Sequence, residues 1–179
     1  MILFFLACLP DLSQRLVDVD TSAPVDTSPA TEGPVTLLLD ATDYTLWVDL
    51  DLDLEQGPWE LRFQRYLVEL NPGNDAQDAV QALWLEGVDF DALGPGDIPQ
   101  TGWSEDQADQ DGDGEPERVF DDWYLYDGTD HSLTPFDRVY LVRGTSGTFK
   151  FVFESYYSEA GTPAKLQLRW QRINTENTP

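Results

Sequence analysis

Apolar and polar positions alternate along most of this chain with the period of two that marks half-buried β-strands. From Trp47 the sequence Trp-Val-Asp-Leu-Asp-Leu-Asp-Leu puts Val48, Leu50, Leu52 and Leu54 on one face and Asp49, Asp51 and Asp53 towards water. Gln56-Gly57-Pro58 interrupts the run. Alternation then resumes from Trp59 to Leu70, with Trp59, Leu61, Phe63 and Arg65 predicted to share a face, and stops at the turn signal Asn71-Pro72-Gly73-Asn74. Ala76 to Glu86 fits two patterns. Asp75 suits the cap of a short helix carrying Ala79, Val80 and Leu83, while Leu83-Trp84-Leu85 before Gly87 suits a strand; we read it as a strand. Gly94-Pro95-Gly96 and Pro99 mark a long loop.

The C-terminal third predicts three consecutive antiparallel strands. Asp137 to Arg143 is the first, and Gly144-Thr-Ser-Gly147 is a tight turn. Thr148 to Tyr157 returns with Phe149, Phe151 and Phe153 on one face, Ala160-Gly-Thr-Pro163 turns again, and Lys165 to Ile173 completes a β-meander. No long repeat and no βαβ alternation is visible. The expected fold is therefore all-β, or β-dominated with one short helix, as a single antiparallel domain over residues 35–179.

The N-terminus reads differently. Met1 to Leu9 is almost wholly apolar, and Cys8 follows Leu6-Ala7 in the manner of a bacterial lipobox, where a small residue lets a signal peptidase cut before a Cys that is then lipidated. No Lys or Arg precedes the run, and it is shorter than an ordinary signal core; a start lying upstream of Met1 accounts for both. Residues 1–8 are thus expected to be a truncated signal peptide ending at the lipidation site Cys8, the alternative being a short apolar terminus of no consequence. Residues 9–34, rich in Asp, Thr, Ser, Pro and Ala beyond Asp18, are expected to form a disordered tether.

Composition narrows the function. Six Trp, seven Tyr and nine Phe provide enough apolar surface for a packed core, which excludes wholesale disorder. Against 10 basic residues stand 34 acidic ones, a formal net charge of -24. Such a surface repels nucleic-acid phosphates and anionic headgroups, so no nucleic-acid partner is expected, and membrane contact is expected only through an N-terminal lipid. With Cys8, the one Cys, lying ahead of the folded domain and a single His, Cys–His nucleophiles and multi-His zinc sites are excluded, and no Gly-rich phosphate loop joins a strand to a helix. No acidic pair stands out as a general acid and base, and the chain is read as a non-enzyme. The six Trp raise a carbohydrate-stacking surface as an outside reading, although most lie on strand faces suited to core packing.

The sharpest local motif is Asp109-Gln-Asp111-Gly-Asp113-Gly114-Glu-Pro-Glu117. Ca²⁺ takes hard oxygen ligands, and Asp109, Asp111 and Asp113 match the first, third and fifth positions of an EF-hand-type loop, with Gly114 at the sharp turn and Glu117 at the ninth. Phe120 stands at the twelfth, where a bidentate Glu belongs, so the motif reads as a looser Ca²⁺ loop with Asp121 or Asp122 closing the sphere; the alternative is a solvated acidic loop.

Two blocks carry a family resemblance over roughly Thr45 to Ile173. Trp59-Glu-Leu-Arg-Phe-Gln-Arg-Tyr followed by Asn71 and Gly73 is an aromatic strand with a buried-looking Arg that ends in an Asn-Gly turn. Val139-Tyr-Leu-Val-Arg143, the Gly turn, Phe149-Lys150-Phe151, Ser155-Tyr-Tyr157 and Ala160-Gly161 form the second block. Together with the lipobox these residues resemble the HmuY group of bacterial lipoproteins. The resemblance implies an outer-membrane lipoprotein, facing the exterior or the periplasm, that captures haem and delivers it to a TonB-dependent receptor.

The family's founding type holds iron between two axial His, and relatives substitute Met. Here His131 is the only His and Met1 the only Met, which excludes two-His, His–Met and Met–Met ligation within the folded domain. His131 lies in a loop after Tyr124 and Tyr126, either of which is a candidate partner, since Tyr phenolate also ligates haem. Without a fixed partner, His131 also reads as a surface loop residue beside Asp130. The competing function is a non-haem, Ca²⁺-stabilised structural or interaction domain displayed on the cell envelope.

Overall fold

The computed structural model describes residues 33–42, 46–48, 59–73, 78–145 and 147–173. Cys8, the rest of residues 1–8, nearly all of the 9–34 tether and the alternation from Asp49 to Leu54 lie outside the described residues. Among the described residues ten strands make up three antiparallel sheets: β1 Val35–Asp40, β2 Leu46–Val48, β3 Leu61–Gln64, β4 Leu67–Leu70, β5 Gln81–Glu86, β6 Tyr124–Asp127, β7 Ser132–Pro135, β8 Arg138–Gly144, β9 Gly147–Tyr157 and β10 Pro163–Ile173. The only helical element among the described residues is one 3-10 turn, Pro95–Asp97, and no described helix is long and apolar enough to cross a membrane. The fold is all-β, and Gln81–Glu86 is the strand expected there rather than a helix.

The main sheet has the order β1-β10-β9-β8-β5, and β2-β3-β4 and β6-β7 form smaller ones. The C-terminal meander forms as its alternation requires, with Phe149, Phe151 and Phe153 all buried on one face. They meet Leu166, Leu168 and Trp170 of β10, Leu37 and Leu39 of β1, and Leu61, Phe63, Val68 and Leu70 of the three-stranded sheet in one continuous core. The other face of the main sheet is covered as well. The loop following β5 folds back so that Phe90 and Leu93 pack on Leu83, Val139, Leu141 and Ile173. Apolar cover on both sides explains why β8 is buried at four successive positions, Val139 to Val142, instead of at alternate ones.

Beneath that loop lies Lys150, only 4% exposed. Its ammonium donates to the carbonyls of Phe90 (2.6 Å) and Leu93 (2.8 Å), so the charge that burial penalises is spent on holding the loop down. Burial pushes the Lys150 amine below its ordinary range.

One strand prediction is corrected. The alternation from Trp59 to Leu70 is a hairpin, not a continuous strand: β3 and β4 pair through Gln64 and Leu67 across the two-residue turn Arg65-Tyr66. Buried positions are odd in β3 (Leu61, Phe63) and even in β4 (Val68, Leu70), and this change of parity is the trace of the turn. Arg65 therefore does not share a face with Phe63; it is exposed at the turn with φ 54°. Arg62, the other Arg of that block, is half-exposed and paired with Glu69. The turn after β4 forms as read. Asn71 Nδ2 donates to the Trp59 carbonyl (2.7 Å), and Gly73, at φ 68°, has no room for a Cβ, which would sit 2.6 Å from the Ala79 nitrogen.

Candidate functional site

The stretch from Tyr124 to Pro135, expected to be a loop, is the β6–β7 hairpin, with register Tyr124↔Pro135 and Tyr126↔Leu133. Its turn, residues 128–131, is closed by two carboxylates: Asp127 accepts from the Thr129 amide (2.7 Å) and Asp130 from that of Ser132 (3.0 Å). His131 takes a left-handed backbone, φ 61°. Its Nδ1 shares a hydrogen bond with the Tyr126 hydroxyl, with the two rings 6.0 Å apart. His131 is thus held by a hydrogen bond to Tyr126. Both side chains are exposed, Tyr126 at 52%.

Two residues fasten this hairpin to the body. Trp123, wholly buried, stacks on Phe153 at 4.2 Å and donates its indole N–H to the Tyr66 carbonyl (2.8 Å). Tyr157 accepts from the Leu133 amide through its hydroxyl (2.9 Å). Tyr124 is half-buried, edge-on to Trp123 (5.0 Å) and to Tyr66 (6.1 Å), the latter 44% exposed. Burial pushes the Tyr124 phenol up, with the Tyr66 phenol and the Asp121 and Asp122 carboxylates acting in the same sense. Tyr124 and Tyr126 share a face by strand alternation. Tyr66, Tyr124 and Tyr126 therefore form an aromatic ledge ending at His131. Tyr66 had no signal in the sequence beyond being an aromatic in a turn.

The donor set at the tip, an imidazole nitrogen and a phenol oxygen, belongs to the ligand types that hold haem iron, and an apolar ledge suits a porphyrin's faces. In its chemistry the arrangement fits the group.

The acidic loop is a separate cluster. Oxygens of Asp109, Asp111 and Glu117 lie within 4.8 Å of one another, a spacing that a metal ion bridges. Asp113 is not brought to this trio; its Oδ1 accepts from the Glu115 amide (2.8 Å). The loop already spends much of its acceptor capacity on itself: Asp109 takes the Gly112 and Gly114 amides (2.6 and 2.9 Å), and Glu117 takes that of Gln110 (2.7 Å). Asp121 turns to Arg118, accepting from its amide (2.9 Å), and Phe120, at the twelfth position of the motif, is a core residue. The segment is held to the body by Asp106, whose carboxylate accepts from the Leu70 and Val119 amides (2.8 and 2.9 Å), and by Arg118 on Glu69 (3.2 Å). Desolvation pushes the Asp106 carboxyl up.

Of the tryptophans suggested for carbohydrate stacking, Trp123 and Trp170 are core residues. Trp84 is 43% exposed, and its ring lies 5.3 Å from the Arg138 guanidinium.

No protein-family model and no curated protein matches the chain. Solved structures do. A candidate HmuY-like heme binding protein from Bacteroides vulgatus aligns with 22% identity and a TM-score of 0.58 over 81% of this chain and 94% of its own. The apo HmuY analog of Tannerella forsythia aligns with 12% identity and a TM-score of 0.60 over 80% and 98%. A candidate lipoprotein from Bacteroides fragilis aligns with 19% identity and a TM-score of 0.55 over 77% and 90%. The all-β architecture, with its C-terminal meander inside a five-stranded sheet, is the HmuY-like fold.

Proposed function

We propose that this protein is a haem-binding module of HmuY type, displayed outside the cell, which captures haem on the β6–β7 hairpin and hands it to a TonB-dependent receptor without catalysing a reaction. The observation that carries the reading is the Tyr126–His131 pair at the end of an aromatic ledge, on a fold shared with proteins described as heme-binding. Anchoring through a lipid on Cys8, with residues 9–34 as tether, belongs to the same reading; the lipoprotein description of the Bacteroides fragilis structure supports it. Haem, when bound, would supply an iron that an imidazole nitrogen or a phenol oxygen can ligate. One of Tyr126 and His131 would hold that iron with the other as its hydrogen-bond partner, and Tyr66 and Tyr124 would lie beside the ring. Titration of haemin into the chain, followed by the Soret band, tests the reading: a saturable shift is expected, and its loss on joint removal of the Tyr126 and His131 side chains. Absence of any shift in the unaltered chain refutes it. Export and lipidation are tested by recovering Cys8 as the lipidated N-terminus from membranes.

A second reading rests on the acidic trio. Asp109, Asp111 and Glu117 would hold Ca²⁺ and stiffen the loop of an envelope interaction domain. Calorimetric titration of Ca²⁺ into chelator-treated protein tests it. Heat and a raised melting temperature in millimolar Ca²⁺ are expected, and neither should survive Asp109→Asn combined with Asp111→Asn.

A further inference from the structure

We infer that the Arg65 guanidinium, at the β3–β4 turn, receives a carboxylate of the captured ligand; on haem that carboxylate is a propionate. The inference rests on the haem reading above and adds to it a polar anchor at the far end of the aromatic ledge from His131.

The chain carries 34 acidic residues against 10 basic ones, so a cation readily finds a carboxylate close by. Arg62 and Arg118 pair with Glu69, Arg138 with Glu86, Lys165 with Asp40 and Arg169 with Asp91. Arg143 is spent on the Gln81 amide oxygen (2.9 Å) and Lys150 on two backbone carbonyls, and Arg172 lies 5.8 Å from the Phe149 ring centre. Among the described residues, Arg65 is the one cation whose guanidinium makes no ion pair, hydrogen bond or ring contact. Only its backbone is engaged, the amide donating to the Ala41 carbonyl (3.0 Å). A guanidinium stays charged at every physiological pH, and its planar fork of donors matches the two oxygens of a carboxylate. On a surface of net charge -24, which repels anions, this uncommitted cation is where a ligand's carboxylate is drawn.

The backbone at Arg65 adds a second observation. β3 and β4 join through Arg65 and Tyr66, and Arg65 takes φ 54°, the left-handed region that Gly enters without strain. A long charged side chain in that conformation, where Gly would form the same turn more easily, implies a demand on the side chain itself. Its surroundings match that demand. Tyr66, the next residue, stands edge-on to Tyr124 at 6.1 Å, and Tyr126 follows Tyr124 on the same face after one strand repeat of ~6.6 Å. Burial pushes the Tyr156 phenol up and the Arg65 charge opposes it, with the Tyr66 and Tyr124 phenols acting on the same hydroxyl; the guanidinium therefore stands by this tyrosine cluster. A porphyrin carries its metal at the centre and its carboxylates along one edge. With the iron at the Tyr126–His131 end, that edge can be turned towards Arg65.

The test uses the full chain and compares haemin with haemin dimethyl ester, whose carboxylates are blocked, by Soret titration in the same dilute non-ionic detergent. Metal-free protoporphyrin and its dimethyl ester, followed by fluorescence, repeat the comparison without iron. The unaltered chain is expected to bind each free acid about ten-fold more tightly than its ester. Arg65→Gly suits the left-handed backbone, so it should remove this preference, leave ester binding within about two-fold, and raise the Tm. Arg65→Lys should keep part of the preference, because the charge remains while the fork is lost. No preference in the unaltered chain, a preference unchanged in Arg65→Gly, or an equal loss of acid and ester binding in that variant overturns the assignment. An Arg65-dependent preference for metal-free protoporphyrin without any Soret shift from haemin supports the anchor and ends the haem reading. An unaltered chain that binds neither porphyrin ends both.

Discussion

Trp123→Phe is the substitution that most directly tests how the hairpin is held. The indole is wholly buried, stacks on Phe153 at 4.2 Å and donates to the Tyr66 carbonyl at 2.8 Å. Phe keeps the stacked six-membered ring. What disappears is the pyrrole portion, roughly 40 Å² of apolar contact or about 1 kcal/mol at ~25 cal/mol per Å². The donor to a turn carbonyl goes as well, worth a further ~1 kcal/mol net. The expected cost is about 2 kcal/mol, a large fraction of the ~5–15 kcal/mol that separates folded from unfolded domains. Urea unfolding should show it as a midpoint lowered by about 1 M at a slope near 2 kcal/mol/M, with the slope unchanged. Trp123→Ala should cost more, about 3–5 kcal/mol, because no ring remains to fill the site. A Trp123→Phe midpoint within about 0.3 M of the unaltered protein would refute the reasoning. It would mean that the hairpin is fastened elsewhere, with Tyr157 the remaining candidate.

Asp106→Asn keeps the shape of the carboxylate but presents an amide NH₂ to one of the two backbone donors, Leu70 or Val119. It should cost about 1–3 kcal/mol in chemical denaturation. Acid should act on two carboxylates in opposite senses. Lys165, and then Thr42, hold Asp40 down at about 2, so its contribution is complete above the unfolded value of 3.8 and is lost as pH falls towards 2; Asp40→Asn should flatten that part of the stability profile. Asp106, raised by burial, binds its proton more readily when folded, so its contribution grows as pH falls, and its removal should steepen the acid loss. Lys150→Met leaves the Phe90 and Leu93 carbonyls without their buried donor. Two charge-assisted bonds of about 1.5–3 kcal/mol each outweigh part of the relief of burying no charge, and hydrogen exchange should rise across residues 87–103 while β8 and β9 stay protected.

The sequence made β8, β9 and β10 legible because their alternation is strong and their partners are adjacent in the chain. Val35–Asp40 pairing with β10 was not legible, since nothing local in Val-Thr-Leu-Leu-Leu-Asp names a partner more than a hundred residues away. The β3–β4 turn was hidden by a chemistry that turns seldom use, an Arg in left-handed conformation with no Gly or Asn. The β6–β7 hairpin did carry a signal in Asp127-Gly128, masked by the polar residues around it. His131 and Tyr126 were recognisable as candidates by type, but their contact depends on the backbone at His131 doubling back. Asp109, Asp111 and Glu117 converge because the loop curls, and Asp113, equally well spaced in sequence, points into its own turn.

The register of β10 also sets a direction for the whole domain. Val35, where the N-terminal segment enters the sheet, pairs with Trp170, whereas Pro163 at the start of β10 pairs with Tyr157, the residue that holds the hairpin. Along the strand these two ends are roughly 23 Å apart at ~3.3 Å per residue. The sheet therefore has one end where Val35 enters and another that holds the β6–β7 hairpin. Val35 and the residue that holds the β6–β7 hairpin thus sit at opposite ends of β10. Immobilisation through the N-terminus should leave ligand access intact. Ile173, paired with Thr148, lies at the same end of β10 as Val35.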